Sequence, residues 1–517
     1  MKFNRAAIII PPIRDFYFTR HRFSALGAHI VEKILLSAGL HTELLNFPLM
    51  NIRGAPLPLP GALNHLEPYL IANETGKLSF FTELRRFGPS ADQCVSMIGK
   101  ANPDICFFSV FAFCYADDAI DLACAVKKNM PGVPVVMGGA GPSAYPEYFL
   151  RNFSIDYVLA GEAEASLEKF LQRINRDTPD FPVVPNLWWK IQDKIQRHLV
   201  TGAAKSDRII VPLEKSARTS KTVTFSTSLS RGCPKRCAFC SSRFAHGAEF
   251  RTAPEGSISR ALKELGPELV PKNKQVIINF EDDNLLADEP FLKSAVSLFR
   301  KRIPGVQFVA ENGIDHSFLS PELCGWLIDN GMKKFNLSLG SIDPGILARG
   351  RRFIDLERYE QVIRLLERNQ VPNVTYFICG FKEDTLETTL NNLVYLHKLP
   401  TLIGISPYYA VPGLSGFENR SVFDCLPSSL CLGAAIFPWN NSLSTKIMIT
   451  AFRLARFSNL LKSHRQSDME KEMLDLIADK KSLYTTIKEK NGKERVIEVP
   501  NQDKDLVQLF FRKINDF

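Results

Sequence analysis

The sequence predicts an α/β protein: an open parallel sheet in its first third, a partial barrel in its middle, and a small, mostly helical region at the C-terminal end. Two observations lead to this fold class. Short apolar runs alternate with amphipathic helical patterns along the first third, as is typical of a parallel sheet covered by helices. From residue 222 onward, polar residues follow each of six successive apolar runs, as they do at the rim of a β/α barrel.

The first third reads as strand, helix and strand units. In order, the pattern predicts a strand over 6–10, a helix over 24–38, a strand over 42–46, a strand over 103–109, a helix over 117–128, a strand over 133–137 and a strand over 156–160. Ligands of open parallel sheets bind at the carboxyl ends of the strands. The glycine-rich run at 138–142 follows one such end, and glycine lets a ligand approach the backbone closely. A plain tight turn is the alternative for this run.

A connector over 180–215, with a hairpin-like stretch at 187–199, separates the first third from the barrel. The barrel strands are predicted at 222–226, 275–280, 306–310, 334–339, 374–378 and 403–407. The tail adds a helix around 445–461 and a strand-like stretch at 495–499. The predicted domains are therefore a Rossmann-like domain over 1–180, a linker over 181–220, a partial (β/α)6 barrel of the TIM type over 221–420 and an accessory region over 421–517.

Three cysteines dominate the chemistry of the sequence. Cys233, Cys237 and Cys240 are spaced C-x3-C-x2-C, which suits three irons of an iron–sulfur cube and leaves the fourth iron without a protein ligand. One alternative is a zinc site with His246 as the fourth ligand, although zinc ligands are usually spaced as two close pairs. Another is a set of unligated core cysteines, which the basic residues of the same loop make unfavourable.

With Phe239 directly before the last cysteine, this loop resembles the cluster loop of the radical S-adenosylmethionine (SAM) superfamily. The resemblance covers about residues 222–417 and implies a 4Fe-4S cluster, SAM, release of a 5′-deoxyadenosyl radical and a reductant such as flavodoxin or ferredoxin. It also implies SAM contacts for Phe239 and for the residues that follow the barrel strands, namely Glu281, Asp282, Glu311, Asn312, Ser338 and Ser341. Gly340 departs from the family, where a glutamate is frequent. The alternative role for each rim residue is to cap the following helix.

The order of motifs over about residues 5–175 resembles the cobalamin-binding domain of the cobalamin-dependent branch of this superfamily. This resemblance implies cobalamin contacts for Ser109, Gly138, Gly139, Gly141, Gly161 and Glu162. The histidine that ligates cobalt in many cobalamin proteins is absent, and Tyr17 stands at its position. The alternative that this domain is degenerate and binds no cobalamin therefore stays open.

Composition places the chain in the ordinary globular class, with 517 residues, 45% hydrophobic and 23% charged. Neither a signal peptide nor a membrane span is predicted, so we expect a cytoplasmic, thiol-reducing setting. Four further cysteines, Cys94, Cys106, Cys114 and Cys124, are interpreted as packing residues, which counts against a second cluster and a methylthiotransferase. The net charge of +9 is scattered, and even its densest stretch, over 480–495, interleaves acids, so nucleic-acid binding is a minor alternative.

Three functional hypotheses follow. The first is a cobalamin-dependent radical SAM enzyme that methylates, cyclises or rearranges an unactivated carbon of an unidentified small-molecule or peptide substrate. The second keeps the radical chemistry without cobalamin. The third is a metal-stabilised RNA-binding module without catalysis.

Overall fold

The computed structural model describes residues 3–19, 24–174, 181–192, 194–198, 204–266, 273–463, 472, 475–476 and 481–515. Parts of each predicted domain lie outside these residues, among them the end of the first domain at 175–180, Leu199 of the hairpin, residues 267–272 of the barrel and Lys480 of the charged tail.

The strands are, in chain order, β1 (Arg5–Ile10), β2 (Ile13–Asp15), β3 (His41–Asn46), β4 (Ala55–Leu57), β5 (Leu84–Phe87), β6 (Ile105–Ser109), β7 (Val135–Gly138), β8 (Tyr157–Leu159), β9 (Leu187–Ile191), β10 (Lys194–His198), β11 (Leu213–Arg218), β12 (Thr222–Thr227), β13 (Ser230–Arg231), β14 (Arg251–Thr252), β15 (Gln275–Phe280), β16 (Gln307–Val309), β17 (Phe335–Gly340), β18 (Asn373–Cys379), β19 (Leu402–Pro407), β20 (Tyr484–Lys488) and β21 (Glu494–Glu498).

The α-helices are α1 (Leu26–Ser37), α2 (Phe47–Met50), α3 (Ala91–Ala101), α4 (Ala116–Asn129), α5 (Ala140–Ala144), α6 (Pro146–Leu150), α7 (Ala163–Ile174), α8 (Ser242–His246), α9 (Glu255–Glu264), α10 (Glu289–Arg302), α11 (Pro321–Asp329), α12 (Pro344–Arg349), α13 (Leu356–Arg368), α14 (Leu386–His397), α15 (Thr445–Lys462) and α16 (Lys504–Asn515). Short 3-10 turns lie at Gly61–Tyr69, Phe113–Tyr115, Phe181–Val183, Ser206–Arg208, His316–Phe318, Arg420–Cys425, Ser428–Cys431 and Gly433–Ala435.

Two compact units divide the chain. The first contains Met1–Ala55, Arg85–Asn312 and Val411–Ser429, and the second contains Pro56–Leu84, Gly313–Ala410 and Leu430–Phe517. Each unit is therefore assembled from separated stretches of sequence. The domain boundaries near 180, 220 and 420 stay predictions.

The first unit carries the predicted open sheet. Its seven strands run in the order β10-β9-β8-β7-β6-β1-β3, and the five strands from β8 to β3 are parallel. The hairpin predicted in the connector extends this sheet: β9 pairs antiparallel with β8, and β10 pairs antiparallel with β9. Ile8 of β1, Ile30 of α1 and Phe170 of α7 belong to one buried core, so apolar residues of strand and helices meet across one face of the sheet.

The six predicted barrel strands are all present and are distributed over two sheets. In the first unit β12, β15 and β16 pair in parallel, and β11 adds an antiparallel edge. In the second unit β17, β18 and β19 pair in parallel. Strands alternate with helices such as α10 and α13, so the predicted α/β fold class is confirmed.

The second unit is completed by the C-terminal helices, the β20–β21 hairpin and the segment at 56–84. Arg453 of α15 and Glu74 form a buried ion pair at 2.6 Å, with side chains 1% and 0% exposed, and this pair fastens the segment to the helix. The ring of Phe510 on α16 lies 5.9 Å from that of His397 on α14. The strand-like tail stretch is β21, whose residues are mostly exposed.

Candidate active site

The cysteine loop is held at its base by a short antiparallel ribbon. β13 and β14 pair Ser230 with Thr252 and Arg231 with Arg251, so residues 232–250 form the loop between them. Gly232 opens the loop with a φ of +77°, and a Cβ there would lie 2.2 Å from the carbonyl oxygen of Glu249. The two ends of the loop therefore approach so closely that only glycine fits.

The three cysteines differ in exposure. Cys237 is buried, Cys233 is intermediate and Cys240 is exposed. The Cys240 backbone N–H donates to the Cys237 carbonyl at 3.2 Å, which keeps the last part of the triplet compact. Within the described ranges, three Cys, His, Asp or Glu side chains do not converge on a common metal position. The cysteines are thus gathered in one loop, and their role as cluster ligands stays a prediction.

Polar side chains already face two of the thiols. Asn284 Nδ2 donates to Cys233 Sγ at 3.5 Å, and Ser242 Oγ lies 3.3 Å from Cys240 Sγ. Burial raises the pKa of the Cys233 thiol, and the Asn284 hydrogen bond opposes that rise. Thiolates are the protein ligands of iron–sulfur clusters, and donors to sulfur suit them in that form. The residues present therefore fit a cluster.

The acidic turn after β15 fixes the backbone segment that leads into the cysteine loop. Asp282 Oδ1 accepts hydrogen bonds from the Leu229 N–H at 2.9 Å, the Ser230 N–H at 2.6 Å and the Ser230 hydroxyl at 2.5 Å. Asp283 accepts the Gly232 N–H at 3.0 Å. Burial raises the pKa of Asp282 to about 6, against the lowering effect of the Ser230 hydrogen bonds. The other oxygen of Asp282, Oδ2, is buried without a hydrogen-bond partner among the described residues.

Glu281 lies at the start of this turn, where burial raises its pKa. It accepts the Ser24 hydroxyl and the Asn279 amide, the latter at 3.0 Å. Asn279, which is fully buried, also accepts the Glu311 N–H at 3.0 Å and so joins the ends of β15 and β16. Sequence reasoning did not single out Asn279 or Ser24, because Asn279 reaches Glu311 across 32 residues and Ser24 reaches Glu281 across 257.

Helix capping does not account for the rim residues of the first unit. The N-cap of α10 is Asp288 rather than Glu281 or Asp282, and the N-cap of α11 is Ser320 rather than Glu311 or Asn312. Glu311 and Phe239 are intermediate in exposure and Asn312 is exposed. Their SAM contacts stay predictions.

The rim residues of the second unit are more firmly engaged by protein. Ser341 is fully buried, and its hydroxyl accepts the Asp343 N–H at 3.1 Å and the Asn392 amide at 3.4 Å. Ser338 is half-buried, and its carbonyl accepts Arg352. Gly340 has a φ of +88°, and a Cβ there would lie 3.3 Å from Arg352 Cδ, so the arginine lies where a longer side chain at 340 would begin.

The glycine run after β7 is shaped by its neighbours in the fold. Gly139 has a φ of +107°, and a Cβ would lie 2.5 Å from the Val110 carbonyl oxygen; at Gly141 the Ala112 carbonyl oxygen would lie 2.8 Å away. These two glycines thus let the segments after β6 and β7 approach each other, and the run leads into α5 rather than forming a plain turn. Gly138 pairs with Ser109 at the strand ends.

The carboxyl edge of the open sheet also has small, partly exposed residues. Ser109, Gly138, Gly139 and Gly161 are all intermediate in exposure. The Ser143 hydroxyl joins two of them, donating to the Gly139 carbonyl at 2.7 Å and accepting the Gly161 N–H at 2.8 Å. Because these residues carry a small side chain or none, this edge fits a large ligand such as cobalamin. Tyr17, at the expected histidine position, is 37% exposed.

Glu162 is occupied by a buried ion pair. Arg251 contacts both of its oxygens, with Nη2 at 2.7 Å and Nη1 at 2.9 Å, and His246 Nδ1 lies 3.2 Å from Oε1. Burial would raise the pKa of Glu162, but the hydrogen bonds from His246 and Arg251 lower it to about 2. A second buried pair, between Glu164 and Arg231 at 3.5 Å, lies beside it.

These two pairs, which we call the ribbon clamp, connect the acidic turn after β8 to both strands of the ribbon that carries the cysteine loop. Glu162 was expected to contact cobalamin, and both of its carboxylate oxygens instead contact protein. That expected contact stays a prediction, while the clamp is a contact that the sequence did not reveal. His246, the fourth ligand of the zinc alternative, has one ring nitrogen engaged by Glu162.

Comparison with known families agrees with the two resemblances that the sequence carries. Residues 227–393 match the radical SAM superfamily, and residues 80–171 match the B12 binding domain. The chain is a radical SAM protein with a B12-binding domain. The predicted family is thereby confirmed, and with it the cofactors that these domains use, a 4Fe-4S cluster, SAM and cobalamin.

Two curated relatives of this radical SAM protein are methyltransferases by name. An uncharacterized methyltransferase of Pyrococcus horikoshii is 23% identical over 322 residues, which is 59% of this chain and 66% of the relative. The bacteriochlorophyllide d C-12(1)-methyltransferase of Chlorobaculum tepidum is 28% identical over 201 residues, which is 37% of this chain and 42% of the relative. The chain thus spans less than two thirds of the length of these relatives.

The fold is similar to that of TsrM from Kitasatospora setae, a radical SAM methyltransferase. Its structure with tryptophan and a SAM analogue has a TM-score of 0.58 at 14% identity, and the match covers 82% of this chain and 75% of that one. Its structure with cobalamin and a [4Fe-4S] cluster has a TM-score of 0.56 at 15% identity, and the match covers 80% of this chain and 77% of that one.

Among the described residues, no helix is long and apolar enough to cross a membrane.

Proposed function

We propose that this protein is a cobalamin-dependent radical SAM methyltransferase that methylates an unactivated carbon. The observation that carries the proposal is the ribbon clamp. It joins, within one unit, the carboxyl edge of the B12-type sheet and the loop of Cys233, Cys237 and Cys240. A methyl donor and a radical source must act on one substrate, and a rigid connection between their binding regions serves that need.

When bound, the three cofactors supply a 5′-deoxyadenosyl radical that removes a hydrogen atom and a methyl group that replaces it. The chain's own residues then have separate tasks. The three thiolates hold the cluster, and Asp282 and Asp283 fix the backbone that leads into the loop. The small residues at the carboxyl edge leave space for cobalamin, as Ser109 and Gly138 do.

Cyclisation or rearrangement of the substrate stays a variant of this proposal, since either can follow the same hydrogen abstraction. The substrate, a small molecule or a peptide, is part of the proposal, as are a reductant such as flavodoxin or ferredoxin and a cytoplasmic setting. The methyltransferase names of the two curated relatives support the methyl-transfer outcome.

A second candidate is a radical SAM enzyme whose first domain binds no cobalamin. It is favoured by the engagement of Glu162 with Arg251 and by the packing role of Gly139. The two candidates differ in one observable, the amount of cobalamin that stays with the purified chain.

The test is anaerobic reconstitution with iron, sulfide and cobalamin, followed by dithionite and SAM and by chromatography for 5′-deoxyadenosine. We expect release by the wild type and none by a variant in which Cys233, Cys237 and Cys240 are all alanine. Cys425→Ala is the matched control, because Cys425 is an exposed cysteine of the same unit outside the loop.

About one cobalamin per chain supports the methyltransferase, and 5′-deoxyadenosine without bound cobalamin supports the second candidate. A wild type with a fully loaded cluster that releases none, even with candidate substrates present, would contradict both.

A further inference from the structure

We infer that Asn284 and Ser242 set the reduction potential of the cluster by donating hydrogen bonds to two of its cysteine ligands. The inference rests on the proposed cluster at Cys233, Cys237 and Cys240. It assigns a positioning and tuning role to two residues that the sequence did not single out. Asn284 acts on Cys233 and Ser242 acts on Cys240.

Asn284 is held in place by the turn on which it stands. Its side chain is 4% exposed, and the residues just before it are fixed because Asp282 accepts Ser230 and Asp283 accepts Gly232. The Nδ2 of this amide lies 3.5 Å from Cys233 Sγ. The donor therefore belongs to the same set of contacts that places the cysteine loop.

The chemistry of sulfur fixes the direction of this hydrogen bond. A thiolate bound to iron can only accept, so the NH2 end of the Asn284 amide must face it and the oxygen must face away. That oxygen, Oδ1, has no hydrogen-bond partner in the part of the chain that the structure describes, so no competing donor reverses the amide.

Ser242 stands at the first position of α8, directly beyond the cysteine triplet. Its hydroxyl lies 3.3 Å from Cys240 Sγ, and a hydroxyl can either donate or accept. Once Cys240 is a thiolate ligand, only donation by Ser242 is possible. Cys240 is exposed, so water competes for the same sulfur and the effect of Ser242 is smaller.

Both donors favour the reduced cluster. Reduction adds negative charge to the cluster and its thiolates, and a donor aimed at sulfur stabilises that charge more than it stabilises the oxidised state. The effect is greatest where water is excluded, as it is around Asn284. Losing either donor therefore makes the cluster harder to reduce.

The experiment is a redox titration of the reconstituted 4Fe-4S protein, followed by electron paramagnetic resonance without SAM. Iron and sulfide per chain are measured on the same samples. The variants are Asn284→Leu, which removes the donor at similar volume, Ser242→Ala, and the two combined. Asn129→Leu is the matched control, since the Asn129 amide donates to the Ala125 carbonyl at 2.8 Å on an exposed helix end.

We expect Asn284→Leu to load normal iron and to shift the ratio of oxidised to reduced cluster at a fixed potential about tenfold toward oxidised, about 59 mV for one electron. Ser242→Ala shifts this ratio in the same direction by a smaller factor. The double variant shifts the potential by about the sum of the two single shifts, and Asn129→Leu leaves it unchanged. Asn284→Asp, which keeps the shape but presents oxygen to the sulfur, also lowers the potential and carries the test if Asn284→Leu fails to fold.

Normal iron with an unchanged potential in Asn284→Leu or Asn284→Asp would overturn the inference. So would folded variants that both fail to take up iron, because Asn284 would then place the loop without tuning the cluster. These results are distinct from failure of the proposed function, which is scored by release of 5′-deoxyadenosine from the wild type.

Discussion

Replacing Glu162 by Gln is expected to remove about 3 kcal/mol from the unfolding free energy of the first unit, because Arg251 then stays buried opposite a neutral amide. The side chains of this pair are 2% and 6% exposed, so water cannot take over the lost contact. Breaking a buried pair by removing one partner generally costs about 3–5 kcal/mol.

The pKa of Glu162 gives the same magnitude independently. Burial acts to raise it, and the hydrogen bonds from His246 and Arg251 lower it from 4.5 to about 2. At about 1.4 kcal/mol for each pKa unit, this difference corresponds to about 3 kcal/mol. The sign follows from linkage: the contribution is fully present above pH 4.5 and is lost as the pH falls toward 2.

The assay is urea unfolding of the apo chain, followed by the fluorescence of Trp188 and Trp189, which are buried in the first unit. Trp326 and Trp439 belong to the second unit and are replaced by phenylalanine in every sample, so that the signal reports on one unit. Unfolding free energies are then compared at pH 7 and at pH 4.

A double-mutant cycle with Arg251→Met isolates the pair. Each single variant leaves one charge buried, whereas the double variant leaves none, so we expect it to be less destabilised than the sum of the two. The control is Glu264→Gln, whose partner Lys33 lies at 2.7 Å with side chains 51% and 31% exposed. An exposed pair of this kind contributes about 0–1 kcal/mol.

The reasoning is refuted if the two single effects add to within about 0.5 kcal/mol in the double variant. It is equally refuted if Glu162→Gln lowers the unfolding free energy by no more than Glu264→Gln does, because burial of the ribbon clamp would then make no difference to stability.

Three further outcomes are expected. Because burial raises the pKa of Asp282 from 3.8 to about 6, this residue contributes a fall in the unfolding free energy as the pH rises between these values. Urea unfolding of Asp282→Asn should therefore show a change with pH that is less steeply downward than that of the wild type; an equal slope in both proteins would contradict it. Gly139→Ala forces a Cβ to 2.5 Å from a carbonyl oxygen at a φ of +107° and should lower the melting temperature by several degrees, whereas Gly132→Ala, with no described atom within 4 Å, should not; equal melting temperatures would refute the packing account. Arg453→Met leaves the Glu74 carboxylate buried without its charge partner and should destabilise the second unit by about 3–5 kcal/mol, as urea unfolding followed by Trp326 and Trp439 would measure; a loss below about 1 kcal/mol would argue against a buried pair.

The positions of the parallel strands were predictable from local pattern alone, whereas short strands such as β2, β4 and β5 were not predicted. The apolar run at 6–10 appears as β1 (Arg5–Ile10), and the run at 275–280 appears as β15 (Gln275–Phe280). Buried parallel strands are nearly continuous apolar segments, so their position depends on neighbouring residues in the chain. The cysteine spacing is local for the same reason, since a single loop contains the whole motif.

The site beyond that motif was less accessible to sequence reasoning. Asp282 is predicted to contact SAM, and that contact stays a prediction; what the sequence did not indicate is that one of its oxygens accepts the backbone N–H groups of Leu229 and Ser230. Asn279, which joins the ends of two strands, had no local signature at all. An acidic residue after a strand looks the same in sequence whether it faces a ligand or a neighbouring turn.

The sequence by itself determined the fold class, the positions of the main parallel strands and the family, because apolar periodicity and cysteine spacing depend on residues close together in the chain. Only the tertiary structure decided that Glu162 pairs with Arg251, 89 residues away, and that Asn284 faces Cys233 across 51 residues. It also decided that residues 56–84 join the second unit. Such contacts form because burial removes water from charged and polar groups and requires each to find a partner, and no local pattern encodes which distant partner that is.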